Sequence, residues 1–297
     1  MLPHNLKKGD TVAIVAPAKG IEKHFVDYAK QCIEERGFKV LTSENCLGQH
    51  HYFSGTVKER ADDLQWAINN DEVTAILCAR GGYGCVQLLD RINWAGFIDE
   101  PKWLLGFSDV TVFHQHLAKI GAPSIHSTMP LNFESNTKEA LDSLFKSLDG
   151  SKLHYSWTSE TSNIPGSVGG EVIGGNLTVL TGLIGTKHQP DFQNKLLFIE
   201  DVGEHLYAID RQFHQLSKAG ILDQIRGLIV GDFSGIKDTN PPFGSSLTEI
   251  IKSHFAYNSI PICFDFPAGH TEDNRALIFG KHANLKVENN TAELIYD

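Results

Sequence analysis

The sequence has no run of basic residues. Its 26 lysines and arginines are outnumbered by 36 aspartates and glutamates, which leaves a net charge of −10. A phosphate-backbone binder needs clustered cations that release counterions, so no nucleic-acid partner is expected. Long hydrophobic runs are missing too. Nothing approaches the ~20 apolar residues of a membrane span, and no membrane partner is expected. Cysteine is scarce, odd in number and scattered, at Cys32, Cys46, Cys78, Cys85 and Cys263, with no C-x-x-C. That spacing fits reduced core thiols of a cytoplasmic protein, not a disulfide framework or a zinc site. H-E-x-x-H is absent as well. No internal repeat or low-complexity tract interrupts the chain.

What remains is ordinary globular material. The 297 residues, 41% apolar and 21% charged, suffice for one large α/β domain or two of moderate size. One stretch loosely mimics a signal peptide: Lys7-Lys8, then Thr11 to Ala16, then Pro17-Ala18. However, Gly9-Asp10 divides it, and the apolar run is at or below the lower limit for such a segment. It reads better as the first strand of an α/β sheet.

The chain is organised around Trp103-Leu104-Leu105-Gly106-Phe107-Ser108-Asp109-Val110-Thr111. Trp103 to Phe107 is an apolar run of strand type, and Val110, Phe113, Leu117 and Ile120 recur at helical spacing. Ser108 therefore falls where a strand turns sharply into a helix, the geometry of a nucleophile elbow. A serine or aspartate there can also be a plain N-cap, and Val110 stands where the elbow's second glycine would be.

Before this stretch, Val12 to Val15 and Phe38 to Leu41 read as strands. Ile21, Phe25, Ala29 and Ile33 lie four residues apart on one helical face, and a second helix runs from about Val57 to Ile68. Thr74 to Ala79 is a third strand and leads into Arg80-Gly81-Gly82-Tyr83-Gly84. This is neither a Walker loop nor G-x-G-x-x-G, but its N–H groups can form an anion nest. Cys85, Leu88, Leu89 and Ile92 follow as a helical stripe. Strand and helix thus alternate from Val12 to Ile120, which predicts a parallel, doubly wound sheet. Ligands bind beyond the carboxyl ends of such strands, so the Gly82 loop and Ser108 can face one crevice. The adjacent His50 and His51 have no acidic partner at helical spacing and are not expected to bind metal.

A last helix closes with Leu141, Leu144 and Leu148, and the texture then changes. Ser151 to Gly175 is rich in Ser, Thr and Gly. We divide the chain into residues 1–150, a linker at 151–170, and residues 171–297. Strands are expected at Leu196 to Ile199, Gly227 to Val230, Leu277 to Phe279, Leu285 to Val287 and about Glu293 to Tyr296. Helices are expected around Ile209 to Leu216 and from Ser246 to Phe255.

A serine nucleophile needs a base, a carboxylate to fix the base's tautomer, and donors for the oxyanion. Ser108, the acidic run Glu200-Asp201-Val202-Gly203-Glu204 and His270 after Gly269 supply these in the chain order serine, acid, histidine, one of the known orders. Periodicity does not rank Glu200, Asp201 and Glu204.

Several ordered motifs resemble one family from end to end. They are Ala16-Pro17-Ala18, Arg80-Gly81-Gly82-Tyr83-Gly84, Gly106-Phe107-Ser108-Asp109-Val110-Thr111 and Gly174-Gly175-Asn176-Leu177. Glu200 to Glu204 with Tyr207 and Asp210-Arg211, Gly231-Asp232-Phe233-Ser234-Gly235, and Gly269-His270 complete them. The chain resembles the LD-carboxypeptidases, serine peptidases of muropeptide recycling. The resemblance implies an N-terminal flavodoxin-like or Rossmann-like domain and a smaller β-rich C-terminal domain. It also implies Ser108 as nucleophile, His270 as base and then acid, Glu200 as the orienting carboxylate, and the backbone N–H groups of Gly82 and Asp109 as oxyanion hole. No metal and no cofactor is implied. The implied partners are a small muropeptide, cleaved at the L,D-bond before a terminal D-Ala, and a second copy of the chain in a homodimer. Arg80 and Arg211 are candidates for the terminal carboxylate, though Arg211 equally suits a structural salt bridge.

Two alternatives stay open. Microcin-C self-immunity peptidases look similar and cleave a peptidyl-nucleotide conjugate, for which Trp157 or Tyr155 could stack a nucleobase, although both also read as strand residues. A catalytically silent ligand-binding protein on the same fold is the other, and a base beside the serine argues against it.

Overall fold

Thr11–Val15 forms β1 and is buried along its whole length, as a strand covered on both faces by helices must be. The computed structural model describes residues 3–256 and 259–297. β2 (Lys39–Thr42), β3 (Val73–Cys78), β4 (Trp103–Gly106) and β5 (Ser124–His126) join β1 in the all-parallel order β2-β1-β3-β4-β5. This is the flavodoxin-like order, with its binding crevice beyond the strands' carboxyl ends. The first-half helices are α1 (Lys23–Glu35), α2 (Val57–Asn69), α3 (Gly96–Asp99), α4 (Thr111–Lys119) and α5 (Lys138–Asp149). α2 starts at a reciprocal capping box between Thr56 and Glu59, a device that satisfies two orphan N–H groups.

The second half supplies β6 (His154–Thr158), β7 (Gly166–Asn176), β8 (Leu196–Val202), β9 (Gly227–Ser234), β10 (Ile262–Cys263), β11 (Leu277–Phe279), β12 (His282–Val287) and β13 (Thr291–Tyr296). It also supplies α6 (Leu177–Thr181), α7 (Leu206–Lys218) and α8 (Leu247–Ser253). Seven of these strands form a mixed sheet in the order β10-β9-β8-β7-β12-β13-β6, parallel from β10 to β7 and antiparallel beyond. β11 leaves this sheet. It pairs antiparallel with β5, Leu277 opposite His126 and Phe279 opposite Ser124, and becomes the edge of the first sheet. One hydrophobic cluster accordingly runs from Val12 and Leu105 through Phe198, Phe266 and Leu277 to Leu294 and Tyr296.

Two expectations need correction. Cys85, Leu88, Leu89 and Ile92 are buried, but they form a single 3-10 turn at Cys85–Gln87 followed by turns, not a helix. The stretch is too short to hold a helix on its own, and Gly82 and Gly84 at positive φ bend the chain immediately before it. The second correction concerns residues 151–170, expected as a linker. They contain β6, paired with β13, and the start of β7, paired with β12. The glycines of β7 are there for close approach. A Cβ on Gly174 would stand 1.8 Å from the Phe198 carbonyl oxygen, and one on Gly175 would stand 2.4 Å from Thr111 Oγ1. β7 can therefore lie directly on α4, where Thr111 Oγ1 accepts the Asn176 N–H at 3.0 Å and the Gln115 amide donates to the Gly174 carbonyl at 2.6 Å.

Candidate active site

That contact sets the site. β4 ends at Gly106, and Ser108 follows with φ of 63°, a left-handed conformation that costs an L-residue roughly 1–2 kcal/mol. The turn is held from behind by His114, fully buried on α4. Its Nε2–H donates to the Gly106 carbonyl at 2.8 Å, so its Nδ1 accepts from the Ser124 hydroxyl, also at 2.8 Å. Burial lowers the His114 pKa to about 4 and keeps the ring neutral in this role.

From the loop between β10 and β11, His270 reaches Ser108. His270 Nε2 lies 3.1 Å from Ser108 Oγ, and Nδ1 lies 2.7 Å from Glu200 Oε2. With Nδ1–H donating to the carboxylate, Nε2 is left to accept from the hydroxyl. Glu200 is 0% exposed. It sits where the β8–β9 register shifts, the kind of irregularity that re-aims a side chain next to a site. Burial pushes the Glu200 carboxyl upward, and the hydrogen bond and charge of His270 pull it back. Burial alone would depress His270. The hydrogen bond and charge of Glu200, joined by the charges of Asp201 and Asp232, outweigh this and hold His270 above its ordinary value.

Asp201 faces away from the histidine, as strand alternation requires. It accepts from the Asn176 amide (2.9 Å), from the N–H and hydroxyl of Thr178 (2.9 and 2.8 Å) and from its own neighbour Val202 (2.8 Å), fastening the start of α6. Glu204 is in the loop before α7 and only partly buried.

The glycine loop lies against the serine turn: a Cβ on Gly81 would be 3.0 Å from Ser108 Cβ and 3.3 Å from the Asp109 nitrogen. Gly82 has φ of 110° and its Cβ position is 2.9 Å from the Tyr52 hydroxyl, so only glycine suits this point. The Asp109 side chain is buried and accepts the Cys85 N–H at 2.8 Å, tying the loop to the turn. Arg60 adds a second tie. It is 1% exposed and donates to the carbonyls of Gly55, Pro17 and Gly84 and to the Gln87 amide oxygen.

Beside the loop lies a cavity of about 500 Å³ lined by Lys19, Glu22, Gln49, Tyr52 and Arg80 among others. Arg80 donates to the Gly20 carbonyl at 3.0 Å, and its buried Nε has no hydrogen-bond partner among the described residues. Arg211 is not brought to this cavity. It is exposed on α7, with its guanidinium 5.7 Å above the Tyr207 ring, and no salt bridge involves it among the described residues.

Sequence reading missed several positioning residues. Arg60 and His114 are two, and Asn274 is another: its Oδ1 accepts from the Gly269 N–H at 2.9 Å and from His126 at 3.1 Å, fixing the loop that carries His270. None has a motif around it. Tyr155 and Trp157 are engaged elsewhere, their polar atoms donating to the carbonyls of Ala276 and Phe264. The His50 and His51 rings touch each other at 4.7 Å, and His50 forms an isolated antiparallel bridge with Phe53. Away from the serine, Asp210, His214 and His254 each place a ligand-type atom within 4.8 Å of the others.

A parallel sheet presenting a serine turn, with an imidazole and a buried carboxylate lined up behind the hydroxyl, is the arrangement of triad hydrolases. The chain belongs to the LD-carboxypeptidase family: the family's N-terminal domain matches residues 12–127 and its C-terminal domain residues 169–285. It is 32% identical to a probable murein peptide carboxypeptidase of Bacillus subtilis, over 98% of this chain and 93% of that one. A solved muramoyltetrapeptide carboxypeptidase from Oxalobacter formigenes superposes with a TM-score of 0.89 at 29% identity, covering 96% of this chain and 98% of the other. The microcin C7 self-immunity protein of Escherichia coli is 28% identical over 97% of this chain and 94% of its own length. Among the described residues, no helix is long and apolar enough to cross a membrane.

Proposed function

We propose that this chain is a serine-type LD-carboxypeptidase that releases the terminal D-Ala from muropeptide tetrapeptides. The observation that carries the reading is the hydrogen-bonded line from Ser108 Oγ through His270 to Glu200, at 3.1 and 2.7 Å. In this reading Ser108 Oγ attacks the carbonyl carbon of the residue preceding D-Ala as His270 Nε2 takes the hydroxyl proton. Glu200 holds the Nδ1–H tautomer and stabilises the imidazolium that forms. The N–H groups of Gly82 and Asp109 receive the oxyanion; Asp109 is the second residue of the short helical turn Ser108–Val110, and the first N–H groups of such a turn have no partner within it. Collapse of the tetrahedral intermediate breaks the peptide bond, and His270 returns its proton to the departing D-Ala amine. Water, deprotonated by His270, then hydrolyses the acyl-enzyme and restores Ser108.

Arg80 suits the substrate's terminal carboxylate. It is half-buried beside the glycine loop with donors to spare, and a guanidinium matches a carboxylate bidentately. The relatives' names favour a murein peptide as substrate, and the engagement of Tyr155 and Trp157 leaves the peptidyl-nucleotide alternative without the aromatic platform suggested for it.

The test is D-Ala release from a murein tetrapeptide by the wild-type chain and by Ser108→Ala. The substitution should lower kcat by at least ~10³-fold with KM little changed. Near-normal turnover by Ser108→Ala would sink the serine mechanism. Hydrolysis of a peptidyl-nucleotide conjugate with an intact tetrapeptide would move the assignment to the alternative substrate.

A further inference from the structure

The outer surface of α7 carries chemistry that the peptidase reading does not use. Asp210 and His214 are four residues apart on this helix, so they project from one face, one turn apart. Their nearest polar atoms, Asp210 Oδ2 and His214 Nε2, are 3.7 Å apart. The third group comes from a different element: His254 caps the C-terminus of α8, which packs on α7. Its ring stands 4.6 Å from that of His214, nearly perpendicular, and is stacked at 5.6 Å on Phe213. One ligand atom from each of the three residues lies within 4.8 Å of the others. His254 Nε2 is moreover buried with no hydrogen-bond partner among the described residues. Buried polar nitrogens are almost always satisfied, so an unmet nitrogen on one of three clustered ligand side chains leaves coordinating capacity that a ligand can take up.

We propose that Asp210, His214 and His254 form a binding site for a divalent transition-metal ion of the Zn²⁺ type, clamping α7 to α8. Two imidazoles and one carboxylate are the donors of Zn²⁺ and its borderline neighbours, whereas Ca²⁺ takes six to eight oxygens and Mg²⁺ an octahedral, largely oxygen shell. Tetrahedral coordination at zinc bond lengths puts ligand atoms roughly 3.3 Å apart. The Asp210–His214 separation of 3.7 Å is close to that, and His214, more than half exposed, is free to turn in. Solvent reaches the cluster from the His214 side, where water completes the shell. The ion serves no step at Ser108, because none of the three ligands belongs to the Ser108–His270–Glu200 line.

Isothermal titration of the full chain with ZnCl₂ tests this. One saturable site per chain is expected. His214→Ala and, separately, Asp210→Asn should each weaken that site by at least ~10-fold, while the paired substitution of His50 and His51 by alanine should leave it unchanged. His214 is surface-exposed, so its loss does not endanger folding. Zn²⁺ should raise the Tm of the wild-type chain and of the His50/His51 variant, and not that of His214→Ala. With Co²⁺ in place of Zn²⁺, visible ligand-field bands should appear without a thiolate charge-transfer band. Absence of a saturable site overturns the proposal, as does full affinity in both His214→Ala and Asp210→Asn, or a thiolate band showing cysteine as the ligand. D-Ala release is expected to be the same with and without the ion, so failure here and failure of the peptidase reading are separate results.

Discussion

Glu200, Asp201 and Glu204 share the end of β8 and the loop after it, yet their surroundings assign them different work. Glu200 is sealed and bonded to the imidazole, so Glu200→Gln should lower kcat by up to ~10⁴-fold with the fold retained. Asp201 accepts four hydrogen bonds around the start of α6. Asp201→Asn would turn donors onto donors there, and it should lower Tm, by about 1–3 kcal/mol of stability, while keeping most of kcat. Glu204→Gln should resemble the parent in both. Parallel kcat/KM and melting measurements on the three variants check this, and an active Glu200→Gln beside a crippled Glu204→Gln would show the wrong carboxylate has been chosen. A second residue-scale expectation concerns pH. In the proposed mechanism His270 must be neutral to take the Ser108 proton, and its pKa is held above the ordinary value because the Glu200 bond outweighs burial. The acidic limb of kcat/KM should therefore fall above the usual histidine range, with activity rising as pH passes through it. An acidic limb below that range in the wild-type profile would contradict the inferred pairing. The sequence showed Ser108, His270 and the acidic run but could not rank the acids by periodicity. Ranking depends on which carboxylate the β8 irregularity turns toward His270, and that is decided by pairing with β9, far along the chain.

At the scale of elements, alternation was legible where the pattern had length. β11 falls on the expected Leu277–Phe279, and α2 and α7 contain the expected apolar stripes, whereas α1 starts after Ile21 and buries Val26 with Ala29 and Ile33. The glycine-rich β7 was not legible, because glycine, serine and threonine read as linker. Its composition answers instead to a neighbour distant in sequence, since the Thr111 side chain occupies the place where a Cβ of Gly175 would go. Gly175→Ala should be costly for two reasons: the added carbon would stand 2.4 Å from Thr111 Oγ1, and φ is 134°. Overpacking of this kind costs about 1–3 kcal/mol. Since β7 and α4 set the approach of Glu200 to Ser108, kcat should fall along with Tm. Thermal melting and kcat of the variant measure both, and wild-type values for each would show that the β7–α4 contact has slack.

On the scale of the whole molecule, the sheets are not independent. β11 is donated from the second half of the chain to the edge of the first sheet, and one apolar cluster spans both. Denaturant unfolding should therefore follow a single transition, with near-ultraviolet circular dichroism and residual activity giving the same midpoint. Two separated transitions would mean that the halves unfold on their own. Length and composition allowed either one domain or two. The exchanged strand is only three residues long, and its partner β5, equally short, lacks an apolar run that could announce the pairing.

The route of β11 also bears on inheritance. The chain passes His270 and, seven residues later, enters the sheet that presents Ser108. A crossover between two related genes anywhere between the codons for residues 150 and 165 would join a first sheet from one parent to a β7, a histidine loop and an edge strand from the other. Such a chimera would have to match at the β5–β11 seam and at the β7–α4 seat before its serine and histidine could meet. Segments at the rim of the cavity, such as residues 47–52, carry no such obligation and can diverge singly. Proteins built on this plan are accordingly poor material for cassette exchange and good material for point-by-point retuning of the pocket.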